Sequence, residues 1–441
     1  MLPASAPLYT AEEMRAAEAG HDVDTLMQRA AAGVAEEIMR RFPDARRIAL
    51  HAGGGANGGD GRIAAEILQA QGREIADEHP DVVIDALLGT GLAGPPRDEA
   101  SAVIEQINAV GVPVVAVDIP SGVNASTGEV AGAAVRADVT VTMHGSKVGL
   151  VVAPGRFQAG EVVVADIGLE SAETEHRLVT REILAEVPRR SSGDNKYTAG
   201  HVLVVGGSTG VTGAPALAAR AALRADVGYV TIAAPVASLP VLETLVLEAV
   251  KRPLEDVFEA AAKAKALAVG PGLGREPEAK ALVRRLLGEV ELPAVVDADA
   301  LFELEPGTWP APRVLTPHEG ELARLLGRES TDVAAHRLAS VQEAAEQFDA
   351  VVVLKGEDSL VAAPGRGVLV CALGLPSLST AGTGDVLTGI TAAFLAKGME
   401  PQQAAAAACA AQQLASWKAA QRYGLVASDV VEALPRALAR D

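Results

Sequence analysis

HAGGGANGGDG, residues 51–61, joins a β-rich run, Arg47–His51, to a helical one, Gly61–Gln71, and this junction sets the architecture of the first half of the chain. Gly53, Gly54, Gly55, Gly58, Gly59 and Gly61 allow positive φ and let the backbone come close to a ligand. The helix that follows offers free N–H groups to an anion. No GK[ST] follows, so the spacing is neither a P-loop nor the standard dinucleotide fingerprint. Taken alone, the loop also reads as a structural turn without a ligand.

Outward from this loop the same rhythm repeats. Strands are expected at Val82–Leu88, Val114–Ile119, Val139–Met143 and Val162–Asp166, with helices at Ala11–Ala19, Thr25–Arg41 and Glu99–Val110. Continuous apolar strands suit a parallel sheet buried on both faces. The rhythm breaks at Glu170–Asn195, where SAETEHR and PRRSSGDNKYTAG hold few apolar residues. We read residues 1–169 as one domain, 170–195 as a linker and 196–441 as a second domain; a long surface loop is the other reading of 170–195. In the second half, strands are expected at His201–Val205, Tyr229–Ala233, Ala266–Val269, Ala294–Asp297, Val314–Thr316 and Val351–Leu354. A hairpin at Ser359–Ala362 and Gly367–Ala372 follows, then two closing helices, Asp385–Lys397 and Pro401–Ala420. The fold class is therefore α/β in both halves.

Composition excludes several functions. In 441 residues, 38 Lys and Arg face 57 Asp and Glu, a net charge of −19 that opposes broad binding to nucleic acid or an anionic membrane. Aromatic residues make up 3%, too few for a single-strand stacking platform. The two cysteines, Cys371 and Cys409, form no CxxC, which argues against a thiolate zinc site or a disulfide framework. Neither a signal peptide nor a membrane-spanning run is legible, and a cytoplasmic protein is expected.

Three strand ends converge in the first half. They carry Asn57 and Asp60, then Asp85 in DALLGTGLAGPP (85–96), then Asp118 and Ser121 in VDIPSGVNASTGEV (117–130). Ligands of open parallel sheets sit beyond such ends. Carboxylate, amide and hydroxyl oxygens suit a hard cation, and an aspartate among them can move a proton. In the second half, LSTAGTGDVLTGI (378–390) sets Gly382 and Gly384 before Asp385 at a helix start. Backbone N–H groups there form an anion hole while the aspartate accepts a proton, a pairing that suits phosphoryl transfer. As a plain first-turn residue, Asp385 would only complement the helix dipole. Likewise His318 and Lys355 also read as a helix-start residue and a surface charge.

NGGDG, DALLGTGL and DIPSG, in this order, resemble the epimerase domain of the NAD(P)HX repair enzymes over residues 8–169. The resemblance implies a Rossmann-like three-layer fold that interconverts the R and S epimers of hydrated NADH and NADPH. By position, Asn57, Asp85 and Ser121 would bind K+. Ala56, Asn57, Gly58, Gly59 and Asp60, with Gly89, Thr90, Gly91, Leu92, Ala93, Gly94 and Pro95, would hold the dinucleotide. Asp118 would be the acid/base, and Lys147 in HGSKVGL a substrate neighbour. Two departures stand out: Ala56 replaces the first Asn of NNGGDG, and the stretch from Gly61 to Asp85 is short.

AGTGD resembles the ribokinase-like superfamily. With GGSTGVTGA, VGPGLG, DADAL, TPHEGELARL and KGEDS it is similar to the ADP/ATP-dependent NAD(P)HX dehydratases over residues 188–437. The resemblance implies phosphorylation of the hydrate's hydroxyl by ADP or ATP with Mg2+, then loss of phosphate. By position, Ala214, Gly272, Gly274, His318 and Asp385 would face the hydrate, with Asp385 the base. Lys355, Gly356, Glu357, Asp358, Ser359 and Gly384 would face the adenine nucleotide. The family also implies a homo-oligomer. A small-molecule kinase, and an N-terminal half that only binds or oligomerises, are the readings to set against a bifunctional enzyme.

Overall fold

A computed structural model of the chain describes residues 3–421 and 423–439. They fall into two compact units. One gathers Pro7–His176 and Ala334–Leu338; the other gathers the start of the chain to Ala6, Arg177–Val333 and the described residues from Ala339 onward.

The first unit is built on a six-stranded sheet. From edge to edge it runs Glu74–Ile75, Arg47–Ala52, Val82–Ala86, Val114–Val117, Val139–Met143 and Glu161–Ala165, every pair parallel. Alternation along the strands feeds two cores. Ile48, Val82 and Ile84 pack with Val34, Ile38 and Leu68 from helices Val23–Arg41 and Ala56–Ala70. Ala49 and Val83 pack on the opposite face with Ile104 and Ile107 from Asp98–Ala109. The result is a Rossmann-like three-layer sandwich. The register sets His51 opposite Asp85 and Asp85 opposite Ala116.

The second unit carries an eleven-stranded sheet. Seven strands run parallel, in the order Val250–Pro253, Tyr229–Ala234, His201–Val205, Ala266–Val269, Ala294–Val296, Arg313–Leu315 and Val351–Leu354. Ser359–Ala362 and Leu369–Cys371 continue as an antiparallel pair. Small residues let the helices on this sheet approach closely. Ala404–Ala411 are fully or almost fully buried, and a Cβ on Gly389 would lie 2.1 Å from the Ala218 carbonyl oxygen. Helix Thr383–Ala396 therefore rests on helix Gly213–Arg224 backbone to backbone.

Four sequence expectations change. The first glycine loop is half helix, because the helix starts at Ala56 rather than Gly61. Its glycines do not use positive φ; they serve close approach, since a Cβ on Gly58 would lie 2.0 Å from the Gly53 oxygen. The segment 170–195 holds a strand, His176–Val179, whose Arg177 and Leu178 pair with Leu369 and Val370 and extend the second sheet. A third terminal helix, Ala427–Leu438, follows the two expected, its strongly amphipathic pattern interrupted by Pro435. The short Gly61–Asp85 stretch leaves a two-residue edge strand, Glu74–Ile75. No helix among the described residues is long and apolar enough to cross a membrane.

Candidate functional sites

At the carboxyl ends of the first unit's strands lies a cavity of about 820 Å3. It is lined by Ala56, Asn57, Gly58, Asp60, Gly89, Thr90, Gly91, Leu92, Ala93, Pro95 and Asp118, which sequence reasoning had singled out. Gly59 and Gly94 do not line it; a Cβ on Gly59 would instead strike Met27 Cε at 2.3 Å. Helix Ala11–Glu18 adds Arg15 and Glu18.

Asp118 is the centre of this cavity's polar wall. It follows strand Val114–Val117 and takes φ +64°, a conformation that aspartate tolerates better than most residues. Its Oδ1 accepts three hydrogen bonds: from Lys147 Nζ at 2.5 Å, Thr142 Oγ1 at 3.0 Å and Met143 N–H at 3.0 Å. Lys147 is fully buried and uses its remaining protons on Thr142 Oγ1 (2.9 Å) and the Met143 carbonyl (2.8 Å). Lys147 is thus the counter-charge of Asp118 and does not line the cavity, which corrects its reading as a substrate neighbour. Two further carboxyls lie close by. Burial, reinforced by Asp118 and Glu18, raises the Asp60 carboxyl to about 7. Burial and then Asp118 raise Glu18 as well, against the pull of Lys147.

Asn57, Asp85 and Ser121 meet at Leu88. Asn57 Nδ2 donates to the Leu88 carbonyl (3.0 Å), and Leu88 N–H donates to Ser121 Oγ (2.8 Å). The Ser121 hydroxyl and N–H donate to the two Asp85 oxygens, at 2.6 and 2.8 Å. Asp85 is wholly buried, and that burial raises its carboxyl to about 6 although Ser121 pulls the other way. Amide, carboxylate, hydroxyl and carbonyl groups linked in this way are the donor types a hard cation takes.

The second unit's cavity measures about 450 Å3 and is lined by His318, Lys355, Gly356, Glu357, Ser359, Thr383 and Gly384 among others. Asp358 is buried and does not line it, nor do Ala214, Gly272, Gly274 and Asp385. Asp385 lies beside it on the first turn of Thr383–Ala396, after Gly382 at φ +88°. Burial, then Asp297 and Asp299, raise its carboxyl to about 7, against the pull of Lys355. Lys355 Nζ donates to Asp297 Oδ1 (2.9 Å) and stands 3.7 Å from Glu321 Oε2. Burial opposes the Lys355 charge, but Asp297 and Glu321 hold its pKa above the ordinary range. Asp297 is buried yet ionised more readily than usual, because Lys355 and the hydroxyls of Thr388 and Thr316 outweigh its burial. Gly274 N–H donates to Asp299 Oδ2 (3.0 Å), and a Cβ on Gly272 would lie 3.4 Å from that of Ala214. His318 caps helix Glu319–Leu326: its Nδ1 accepts from the N–H groups of Gly320 and Glu321. Among the described residues no three His, Cys, Asp or Glu side chains gather as a metal cage.

Two family profiles match the sequence. One, described as NAD(P)H-hydrate dehydratase, spans residues 202–436; the other, described as YjeF-related protein N-terminus, spans 23–76 and 70–149. The bifunctional NAD(P)H-hydrate repair enzyme of Moorella thermoacetica is 36% identical over 94% of this chain and 92% of its own. The chain belongs to the bifunctional NAD(P)H-hydrate repair enzymes. This repair enzyme joins an N-terminal epimerase domain to a C-terminal dehydratase domain. The ADP/ATP-dependent NAD(P)H-hydrate dehydratase of Bacillus subtilis, crystallised with ATP and Mg2+, is similar over 58% of the chain and 96% of its own, at 28% identity and a TM-score of 0.54. A ribokinase-like superfamily protein of Enterococcus faecalis, 24% identical over 61% of this chain and 97% of its own at a TM-score of 0.55, shares the fold.

Sequence reasoning missed several residues in and around the two cavities. Asp297 follows strand Ala294–Val296 as the first residue of DADAL, and could have been read there as a strand-end carboxylate. Thr388 and Thr142 gave no signal, because a threonine in an apolar run reads as core. Arg15 and Glu18 lie on an ordinary amphipathic helix whose inward side only the packing reveals.

Proposed function

We propose that the N-terminal cavity epimerises the hydrate with Asp118 as acid/base, and that Asp385 is the base that opens the dehydratase reaction. The observation that carries this reading is the pairing, in each unit, of an aspartate at or beside a cavity with a lysine–aspartate contact that has one wholly buried partner. In the first unit the lysine holds Asp118 itself; in the second it holds Asp297 beside Asp385. The first sets an ammonium group against a carboxylate next to a substrate. The second keeps a base near neutral proton affinity while an ammonium group faces incoming phosphate.

In the dehydratase, the N–H groups of Gly382 and Gly384 would receive the transferred phosphate, that of Thr383 being donated to the Thr380 carbonyl, and Asp385 would take the proton of the hydrate's hydroxyl. Lys355, Gly356, Glu357, Ser359 and Gly384 would hold ADP or ATP. Asp358, buried behind them, would support the turn rather than touch the nucleotide. Mg2+ takes few protein ligands and prefers carboxylates beside phosphates; Asp297 is the carboxylate suited to it, which leaves Asp385 free as the base, and the ion would neutralise the charge of the transferred group.

In the epimerase, Asn57, Asp85 and Ser121 would hold K+, with the Leu88 carbonyl as a fourth oxygen. The cation would balance the buried Asp85 carboxylate and fix the turn that starts at Leu87. Replacing K+ by tetramethylammonium is therefore expected to slow epimerisation at least tenfold, with recovery on adding K+ back. Asp85→Asn should be slow in both buffers and unresponsive. Equal rates of the unaltered chain in the two buffers would exclude the K+ site.

A further inference from the structure

The hydrate carries its hydroxyl on the carbon bound to the ring nitrogen, because that nitrogen's lone pair stabilises positive charge there. Inverting this carbon through loss of the hydroxyl needs an acid on the face it leaves and a base on the face where water returns. Asp118 supplies the base: its three donors all bind Oδ1, leaving Oδ2 for the cavity. With Oδ1 taken up by three donors, Asp118 is placed to receive a proton, and the acid is another group.

Asp60 differs in every respect. It lines the same cavity from the first turns of helix Ala56–Ala70 and is 9% exposed. Its Oδ1 is buried without a hydrogen-bond partner. The charged groups set against it are the Asp118 and Glu18 carboxylates, and the Lys147 ammonium is already committed to Asp118. Arg15 and Arg97 also line the cavity. A buried carboxyl with an orphaned oxygen, set near two other carboxyls, keeps its proton up to about pH 7, in keeping with its rise to about 7.

We propose that Asp60 is the second proton-transfer group of the epimerase, the acid that faces Asp118 across the hydrate. This rests on the reading of the cavity as the epimerase site. The Asp60 proton bonds to the departing hydroxyl, the C–O bond breaks with its electron pair going to oxygen, and the ring nitrogen's lone pair forms C=N. Water then adds to the opposite face, the C=N pair returns to nitrogen, and Asp118 Oδ2 takes the water's proton. The reverse epimerisation exchanges the two roles, and a proton relayed through cavity water from Asp118 to Asp60 restores the starting state. No oxidant, reductant or second substrate is consumed.

The test uses the full chain and each purified epimer. Asp60→Asn is expected to lower the epimerisation kcat by about 10²–10⁴-fold with KM changed by no more than a few-fold, and to abolish the fall of kcat above about pH 7. Asp60→Glu should recover at least a tenth of the lost rate. A loss that falls on KM with the pH profile intact would make Asp60 a binding residue only and overturn the proposal, as would an unchanged kcat. If Asp60→Asn lowers the first unfolding midpoint enough to confound the rate, the unaltered chain in 18O-water decides: one solvent oxygen per epimerisation is expected, and retention of the hydrate's oxygen would overturn the step. If Asp118→Asn epimerises at the unaltered rate, the cavity is not the epimerase site, an outcome distinct from failure of Asp60 alone.

Discussion

Asp385→Asn is expected to lower nucleotide-dependent dehydration roughly a thousandfold, within the 10²–10⁴ range of a general base, while epimerisation by the same chain is unchanged. The reason is local. The introduced amide would keep the size and the helix-start position of the carboxylate, but could not accept the hydroxyl proton. The N–H groups of the turn and the Lys355 ammonium would remain, so nucleotide binding should change little and the loss should fall on kcat. The pH dependence follows from the raised carboxyl. A base must be deprotonated, and Asp385 releases its proton at about 7, so kcat/KM should rise through about pH 7 and level off above it. Asp385→Asn should lose that limb. Steady-state rates with the S epimer and ADP or ATP, followed across this pH range, check both points.

Lys147→Met is expected to remove epimerisation and to destabilise the first unit by about 3 kcal/mol, the lower end of the cost of stripping one partner from a buried ion pair. Lys147 is 0% exposed and the Asp118 side chain 17%, so the remaining carboxylate would lose its cationic partner and keep only the Thr142 and Met143 donors to Oδ1. The methionine fills the aliphatic volume, which isolates the charge effect from a cavity effect. The double variant Lys147→Met with Asp118→Asn should regain most of the stability and none of the epimerisation, because no uncompensated charge is left and the base is gone. Two-step thermal unfolding with epimer ratios by chromatography reads both. A double variant as unstable as the single one would show that Lys147 acts through packing and not through Asp118.

The architecture was legible because parallel strands buried on both faces leave continuous apolar runs, as at Val82–Ala86 and His201–Val205. Short edge strands such as Glu74–Ile75 and His176–Val179 leave no such trace, because only pairing with a neighbour defines them. The terminal helix Ala427–Leu438 was hidden by Pro435, which reads as a break. The glycine motifs that line the two cavities were legible because close approach restricts the residue type. The charge network was not. Asp118 with Lys147, and Asp297 with Lys355, join residues far apart in the chain, and no spacing rule links them. His318 shows the opposite limit: a histidine in a motif spends its Nδ1 on a helix cap.

This repair enzyme joins both sites in one chain. A mixture of R and S hydrate, with the unaltered chain, Mg2+, K+ and ADP or ATP, tests it through the reduced-nicotinamide absorbance. Two working sites predict recovery of the full hydrate content, in a fast phase equal to the S fraction and a slower phase set by epimerisation. Recovery that stops at the S fraction would contradict the account by leaving the N-terminal cavity without its reaction.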